Sequence, residues 1–196
     1  GFESNEEMNA FRYTDFCYQQ FIEAASAEKY FPNTIFIFVG DHGIAGNAGK
    51  MFPDTWTSER LDNMHVPLLF YAPSLLKPKR IHDFVSQVDL LPTAAGLAKI
   101  PYRNTSLGRD LLDSVQTPDK SFSFLYDPDQ GYIGLLMGDF LYREQMTTHK
   151  GQLYSAVSND RVDQVLMKDS LEKMSGLTNG IYETSRYLLL NNKKKP

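Results

Sequence analysis

The residues with the clearest chemical potential are Asp41 and His42. They close the stretch Asn-Thr-Ile-Phe-Ile-Phe-Val-Gly-Asp-His-Gly, residues 33–43. A carboxylate beside a neutral imidazole suits Zn²⁺ or Mn²⁺. Inside a strand, adjacent side chains point to opposite faces. Where the chain turns, both can swing towards one spot, and Gly40 and Gly43 free the backbone on either side. Two ligands do not close a metal site, so others must come from elsewhere. For a bare Asp-His-Gly the plainer reading is favoured, in which Asp41 opens a turn and His42 caps it. The flanking segments change that balance.

Thr34–Val39 is β-branched and aromatic without polar alternation, which predicts a strand covered on both faces. Met8, Phe11, Tyr18, Ile22 and Ala25 share one face at helical spacing, which predicts a helix from about Glu6 to Glu28, ended by Pro32 and Asn33. Helix followed by buried strand is the pattern of an α/β sheet, whose chemistry gathers at the carboxyl ends of strands. Gly40–Asn63 reads as a long loop with four glycines, Pro53 and Trp56. Val66–Tyr71 reads as a second strand, and residues 86–100 as a helix with Asp89 as N-cap and Pro92 in the first turn. Strands are predicted at Ser121–Tyr126, Tyr132–Met137 and Phe140–Glu144, the last two joined through Gly138-Asp139. Arg161–Asn191 reads as mostly helical, broken near Gly176 and Gly180. With no internal repeat or low-complexity linker, the expectation is one domain.

The 196 residues carry 42% hydrophobic and 22% charged side chains, an ordinary globular composition. A net charge of −4 argues against general nucleic-acid binding. Lys193-Lys194-Lys195 is the one concentrated positive run, read as a solvated tail, with a membrane-surface role as the alternative. Cys17 is the single cysteine, so no internal disulfide is possible. No run approaches the roughly 18–20 apolar residues that span a bilayer.

With its flanks included, the chain resembles the alkaline phosphatase superfamily, in particular the sulfatase-like branch that holds lipoteichoic acid synthase and related phosphoglycerol transferases. "YTDFCYQQFIEAASAEKYFPNTIFIFVGDHG" is similar to that branch's helix-strand-Asp-His-Gly segment. "HVPLLFYAP", "SQVDLLPTAAGLAKI" and "SLGRDLL" follow in the expected order, and "GQLYSAVSND" is similar to its late hairpin. The resemblance covers roughly Tyr13 to Asp160 and implies an alkaline-phosphatase-like α/β fold, a mixed sheet flanked by helices. It also implies that Asp41 and His42 bind a catalytic divalent metal, Mn²⁺ first, with Zn²⁺ or Ca²⁺ as alternatives. The reaction would run through a covalent enzyme ester. The nucleophile and the other metal ligands belong to the family's N-terminal half, which this sequence does not match. Residues 1–196 therefore read as the C-terminal part of a catalytic domain, with no catalytic nucleophile and no activity of their own.

The implied function is a phosphoglycerol or phosphoethanolamine-type transferase acting on phospholipid or glycan-linked phosphate esters. Its catalytic domain would be held at a cell membrane, facing the extracellular space or periplasm. The alternatives are a sulfuric ester hydrolase and a non-catalytic binding or scaffold domain. His65 stands where related sulfatases often carry arginine. It is a candidate for the substrate's anionic group, against a histidine simply hydrogen-bonded beside a proline turn. Lys50 reads as a solvated loop lysine, and Trp56 and Phe52 as loop aromatics folded back on the core rather than a lid. Cys17 reads as a structural thiol, since no Pro-Ser-Arg follows it; His82 and His149 read as surface residues.

Overall fold

The computed structural model describes residues 6–44, 46, 49–113 and 121–191; the Lys193-Lys194-Lys195 run lies outside them. The chain divides into two compact units, Gly1–Gly40 with Pro67–Arg80, and Asp41–Val66 with Ile81–Pro196.

In the first unit, helix α1 (Glu6–Ser26) leads through a 3-10 turn (Phe31–Asn33) into strand β1 (Phe36–Val39), which pairs antiparallel with β2 (Leu68–Tyr71). Pro32 sits in that turn and ends the helical run. The register sets Phe36 opposite Tyr71 and Val39 opposite Leu68. Helix α1 reaches the ribbon edge-on through aromatic pairs, Tyr18 to Phe38 at 5.0 Å and Phe21 to Phe36 at 5.7 Å. Each such pair contributes about 0.5–1.5 kcal/mol beyond area burial. The strand predicted to be covered on both faces is only half-buried, and Val39 and Leu69 are exposed. The reason is the pairing: among the described residues β1 has β2 as its one neighbour. The predicted apolar face of α1 is likewise open. Phe11 and Tyr18 are exposed, as are Tyr13 and Phe16, and only Ala25 is buried. Cys17 is exposed mid-helix, so it fills no core.

The second unit is built on an antiparallel meander, β3 (Phe122–Asp127), β4 (Tyr132–Met137), β5 (Phe140–Gln145) and β6 (Gly151–Ser155), in the order β3-β4-β5-β6. Alternation along β4 and β5 sends side chains to two cores. Leu136 and Leu141 join Trp56, Leu61 and Ala156 on one side. Leu135, Tyr142 and Leu153 join Met174 on the other, under helix α5 (Lys168–Asn191). Gly138 has φ +57, the left-handed conformation that a tight β4–β5 turn requires.

Two expectations for this unit are corrected. The predicted loop Gly40–Asn63 contains two short helices, α2 (Asp54–Ser58) and α3 (Leu61–Met64). They form because Trp56 and Leu61 are drawn into the core, and Pro53 starts the first of them. The predicted breaks at Gly176 and Gly180 are absent, and α5 runs through both. Helix α4 (Leu90–Leu97) follows a 3-10 turn (Gln87–Asp89), and Pro92 is accommodated in its first turn. Asp89 does not cap α4 with its side chain; its carboxylate instead accepts the Ser86 N–H in a capping box.

Candidate metal centre

Asp41 and His42 follow β1 directly, where the chain leaves extended geometry. Asp41 Oδ1 accepts the His42 N–H at 2.9 Å, which turns the carboxylate back over its neighbour. His42 Nδ1 lies 2.8 Å from the Gly43 carbonyl oxygen. A carbonyl only accepts, so Nδ1 carries the hydrogen, and in the neutral ring Nε2 holds the lone pair. Nε2 then stands 3.9 Å from Asp41 Oδ2, with the two side chains 72% and 91% exposed. Two ligands of one tetrahedral Zn²⁺ are separated by about 3.3–3.5 Å at ordinary bond lengths. At this exposure the pair adds little to stability. Chemically it presents one oxygen and one nitrogen donor to the same space.

The loop that carries them is pinned at several points. The Gly43 N–H donates to the Asn63 carbonyl at 2.7 Å, and the Gly46 N–H to Asp62 Oδ2 at 2.9 Å. The Gln87 amide donates to the Asp41 carbonyl at 2.9 Å. Gly43 runs so close to α3 that a Cβ there would collide with the Asp62 carbonyl oxygen and stand 3.0 Å from that of His65. Glycine is therefore required by close approach rather than by an unusual φ. Asp62, Asn63 and Gln87 were not singled out in the sequence. Their one signal is a polar pair at the head of a helical turn, too common to be read.

His65 is brought beside this loop as the C-cap of α3, its main-chain N–H bonded to the Leu61 carbonyl at 2.9 Å. Its exposed ring stands edge-on to Trp56 at 5.3 Å and to Phe52 at 5.9 Å. Trp56 is buried, with its indole N–H donating to the Ala156 carbonyl at 2.9 Å, so it folds back on the core and forms no lid. Lys50 and His82 are exposed. His149 is at the surface too, but it faces the buried carboxylate of Glu144 at 3.2 Å, a partner five residues away that the sequence reading did not assign. Among the described residues there is no group of three His, Cys, Asp or Glu side chains able to hold a metal ion.

A family model for sulfatases matches residues 4–100. Arylsulfatase K of Gallus gallus is 32% identical over 99 residues, half of this chain. The lipoteichoic acid synthase-like protein YvgJ of Bacillus subtilis (strain 168) is 27% identical over 124 residues, 58% of this chain. The solved structure described as "Crystal structure of Ps i-CgsB" superposes with a TM-score of 0.55 at 21% identity, covering 78% of this chain and 37% of that one. These likenesses fit the sulfatase-like branch of the alkaline phosphatase superfamily, and the fold is the alkaline-phosphatase-like one expected. The matched segments make up 18% and 20% of the two curated relatives, so the chain spans about a fifth of their length. Among the described residues no helix is long and apolar enough to cross a membrane.

Proposed function

We propose that this chain supplies Asp41 and His42 to the divalent-metal site of a phosphoglycerol or phosphoethanolamine-type transferase. Its substrates would be phosphate esters carried on a phospholipid or glycan, at the extracellular or periplasmic side of a cell membrane. The observation that carries the reading is the approach of Asp41 Oδ2 to His42 Nε2 at 3.9 Å, with the ring oriented by the Gly43 carbonyl. A mixed oxygen and nitrogen donor pair suits Mn²⁺ or Zn²⁺, and the resemblance to lipoteichoic acid synthases puts Mn²⁺ first; Ca²⁺ prefers oxygen throughout, which counts against it here.

A metal held there would screen charge on the transferred group and lower the pKa of an attacking hydroxyl. The chain's own residues have simpler tasks. Gly43 fixes the imidazole, Gln87 holds the Asp41 main chain, and His65 offers a donor to an anionic substrate oxygen from beside the loop. The nucleophile and remaining ligands would come from the preceding part of the domain. The exposed aromatic side of α1 and the short β1–β2 ribbon offer surfaces for that part to cover.

The test is titration of Mn²⁺, Zn²⁺ and Ca²⁺ into the chain and into Asp41→Ala and His42→Ala, followed by calorimetry and, for Mn²⁺, water-proton relaxation. Loss of the tightest Mn²⁺ binding in both variants is expected. Equal binding by all three proteins would remove the metal reading for this chain and favour a non-catalytic binding or scaffold role.

A second reading, hydrolysis of sulfate esters, is favoured by the sulfatase family match and by the 32% identity to arylsulfatase K. The residues preceding Gly1 in the gene product separate the two. A threonine at a strand-to-helix turn supports the transferase, and Cys-x-Pro-Ser-Arg supports the sulfatase.

A further inference from the structure

The peptide that joins Asp41 to His42 is held at both of its polar groups. Its N–H donates to Asp41 Oδ1 at 2.9 Å, and its carbonyl oxygen accepts the Gln87 side-chain amide at 2.9 Å. A peptide is planar, so fixing this one sets ψ of Asp41 and φ of His42, the two angles that orient one donor against the other. The bonds from Gly43 to Asn63 and from Gly46 to Asp62 hold the loop after His42, not between the donors.

Gln87 is exposed, and a long exposed side chain holds a distant partner well when its base is fixed. Gln87 opens the 3-10 turn Gln87–Asp89, and Asp89, 1% exposed, anchors that turn. The Asp89 carboxylate accepts from the Ser86 N–H, from the Arg109 N–H and from the Arg109 guanidinium. The guanidinium also donates to the Phe122 carbonyl of β3. Contacts therefore run from β3 through Arg109, Asp89 and Gln87 to the peptide between the donors, all inside the second unit.

We propose that Arg109 is a positioning residue for the Asp41–His42 pair, acting through Asp89 and the Gln87 amide. It touches neither donor. It fixes the turn from which Gln87 reaches the linking peptide, so that the two donors are set towards one cation in advance. At 91% and 72% exposure the donor side chains have little packing to orient them, and a brace on the main chain takes its place. The proposal rests on the reading of Asp41 and His42 as metal ligands.

The test compares wild type, Gln87→Met, Arg109→Lys and their double variant. Tyr142→Phe is the control, because it loosens the same unit at the β5–α5 junction instead. Mn²⁺ affinity is read by water-proton relaxation. In metal-free protein, the Asp41 carbonyl and the His42 amide are read by NMR chemical shift. Gln87→Met should weaken Mn²⁺ binding about tenfold and move both signals. Arg109→Lys, whose ammonium cannot reproduce the two-pronged contact, should do the same to a smaller extent. It should add nothing in the Gln87→Met background, as expected of two residues acting in series. Tyr142→Phe should leave affinity and both signals unchanged. Effects that multiply in the double variant would overturn the proposal, as would equal effects in Tyr142→Phe or unmoved signals in Arg109→Lys. If wild type binds no Mn²⁺, the metal reading falls, and the metal-free signals alone decide whether Arg109 sets the pair.

Discussion

Arg109 grips Asp89 side-on. Its Nε lies 3.2 Å from Oδ1 and its Nη2 2.8 Å from Oδ2, while the Arg109 main-chain N–H donates to the same Oδ1 at 2.8 Å. Asp89 is 1% exposed. The guanidinium reaches on to the Phe122 carbonyl at 2.8 Å and lies 4.2 Å from the Phe122 ring centroid. One arginine therefore ties the capping box before α4, the Ser-Leu-Gly-Arg-Asp segment and strand β3 together. This pairing gives a physical reason for "SQVDLLPT" and "SLGRDLL" to occur in the same chain.

Removing Arg109 leaves a buried carboxylate without its counter-charge. Arg109→Ala is expected to cost about 3–5 kcal/mol, read from urea unfolding. Arg109→Lys should recover only part of that loss, because an ammonium cannot reproduce the two-pronged planar contact. A loss below about 1 kcal/mol in Arg109→Ala, the range of an exposed pair, would mean that packing and not this ion pair joins the three segments.

The parts of the fold that were legible are those where local pattern and tertiary contact agree. Strands β4 and β5 lie at or within a residue of the positions that alternation and the Gly138-Asp139 turn indicate. Helix α5 shows the opposite case. Gly176 and Gly180 suggest breaks, yet a Cβ at either would meet nothing within 4 Å, so both sit on an open face. Each costs only about 1 kcal/mol relative to alanine, and the burial of Met174 and its neighbours outweighs that. At the candidate site, Asp41 and His42 stood out by type and adjacency, but only the resemblance of the flanking segments set them above an ordinary turn. Asn63 was not legible, because it holds the loop through a main-chain carbonyl that any residue possesses, and Gln87 was not, because its side-chain amide reaches a carbonyl far away in sequence.

Gly43 offers a test of the site that leaves both donors in place. In Gly43→Ala the new methyl collides with the Asp62 carbonyl oxygen, so the 2.7 Å bond to Asn63 must lengthen and the loop must shift. Overpacking of this kind costs about 1–3 kcal/mol. Mn²⁺ affinity should fall about as far as in Asp41→Ala, with far-UV circular dichroism unchanged. Gly46→Ala is the control, since a Cβ there meets nothing closer than 4.0 Å. Unchanged Mn²⁺ affinity in Gly43→Ala would show that the α3 contact does not set the geometry of the pair.

Trp56 is the single tryptophan, so its emission reports on one place, the seam where α2 meets the end of β6. Stacked on Phe52 at 4.2 Å and buried, it should emit at short wavelength and shift red in the same transition that abolishes the far-UV signal of the second unit. Trp56→Ala should lower stability by about 3–5 kcal/mol, measured by circular dichroism. A red shift well before the secondary structure melts would instead make α2 and α3 a separately opening segment.

Glu144 and Tyr142 make the junction between β5 and α5 dependent on pH. Glu144 is 2% exposed; it accepts from the Tyr142 hydroxyl, from the Asn179 amide at 2.9 Å and faces His149 Nδ1 at 3.2 Å. Burial pushes the Glu144 carboxyl up, but these partners outweigh it and hold the group below its ordinary 4.5. Burial first, and then Glu144 itself, push the Tyr142 hydroxyl up to about 12 from 10.0. The signs differ in consequence. The Glu144 contribution to stability is present above pH 4.5 and fades as pH falls through its lower folded value. The Tyr142 contribution is present below pH 10.0 and fades as pH rises towards 12. Urea unfolding against pH should therefore show an acid limb that Glu144→Gln flattens and an alkaline limb that Tyr142→Phe flattens. Tyr142→Phe also removes a donor that lowers the Glu144 value, so the gap between folded and unfolded values narrows and its acid limb should be smaller than in wild type. An acid limb identical in Glu144→Gln and wild type would assign acid unfolding to other carboxylates and leave this cluster a pH-independent clasp.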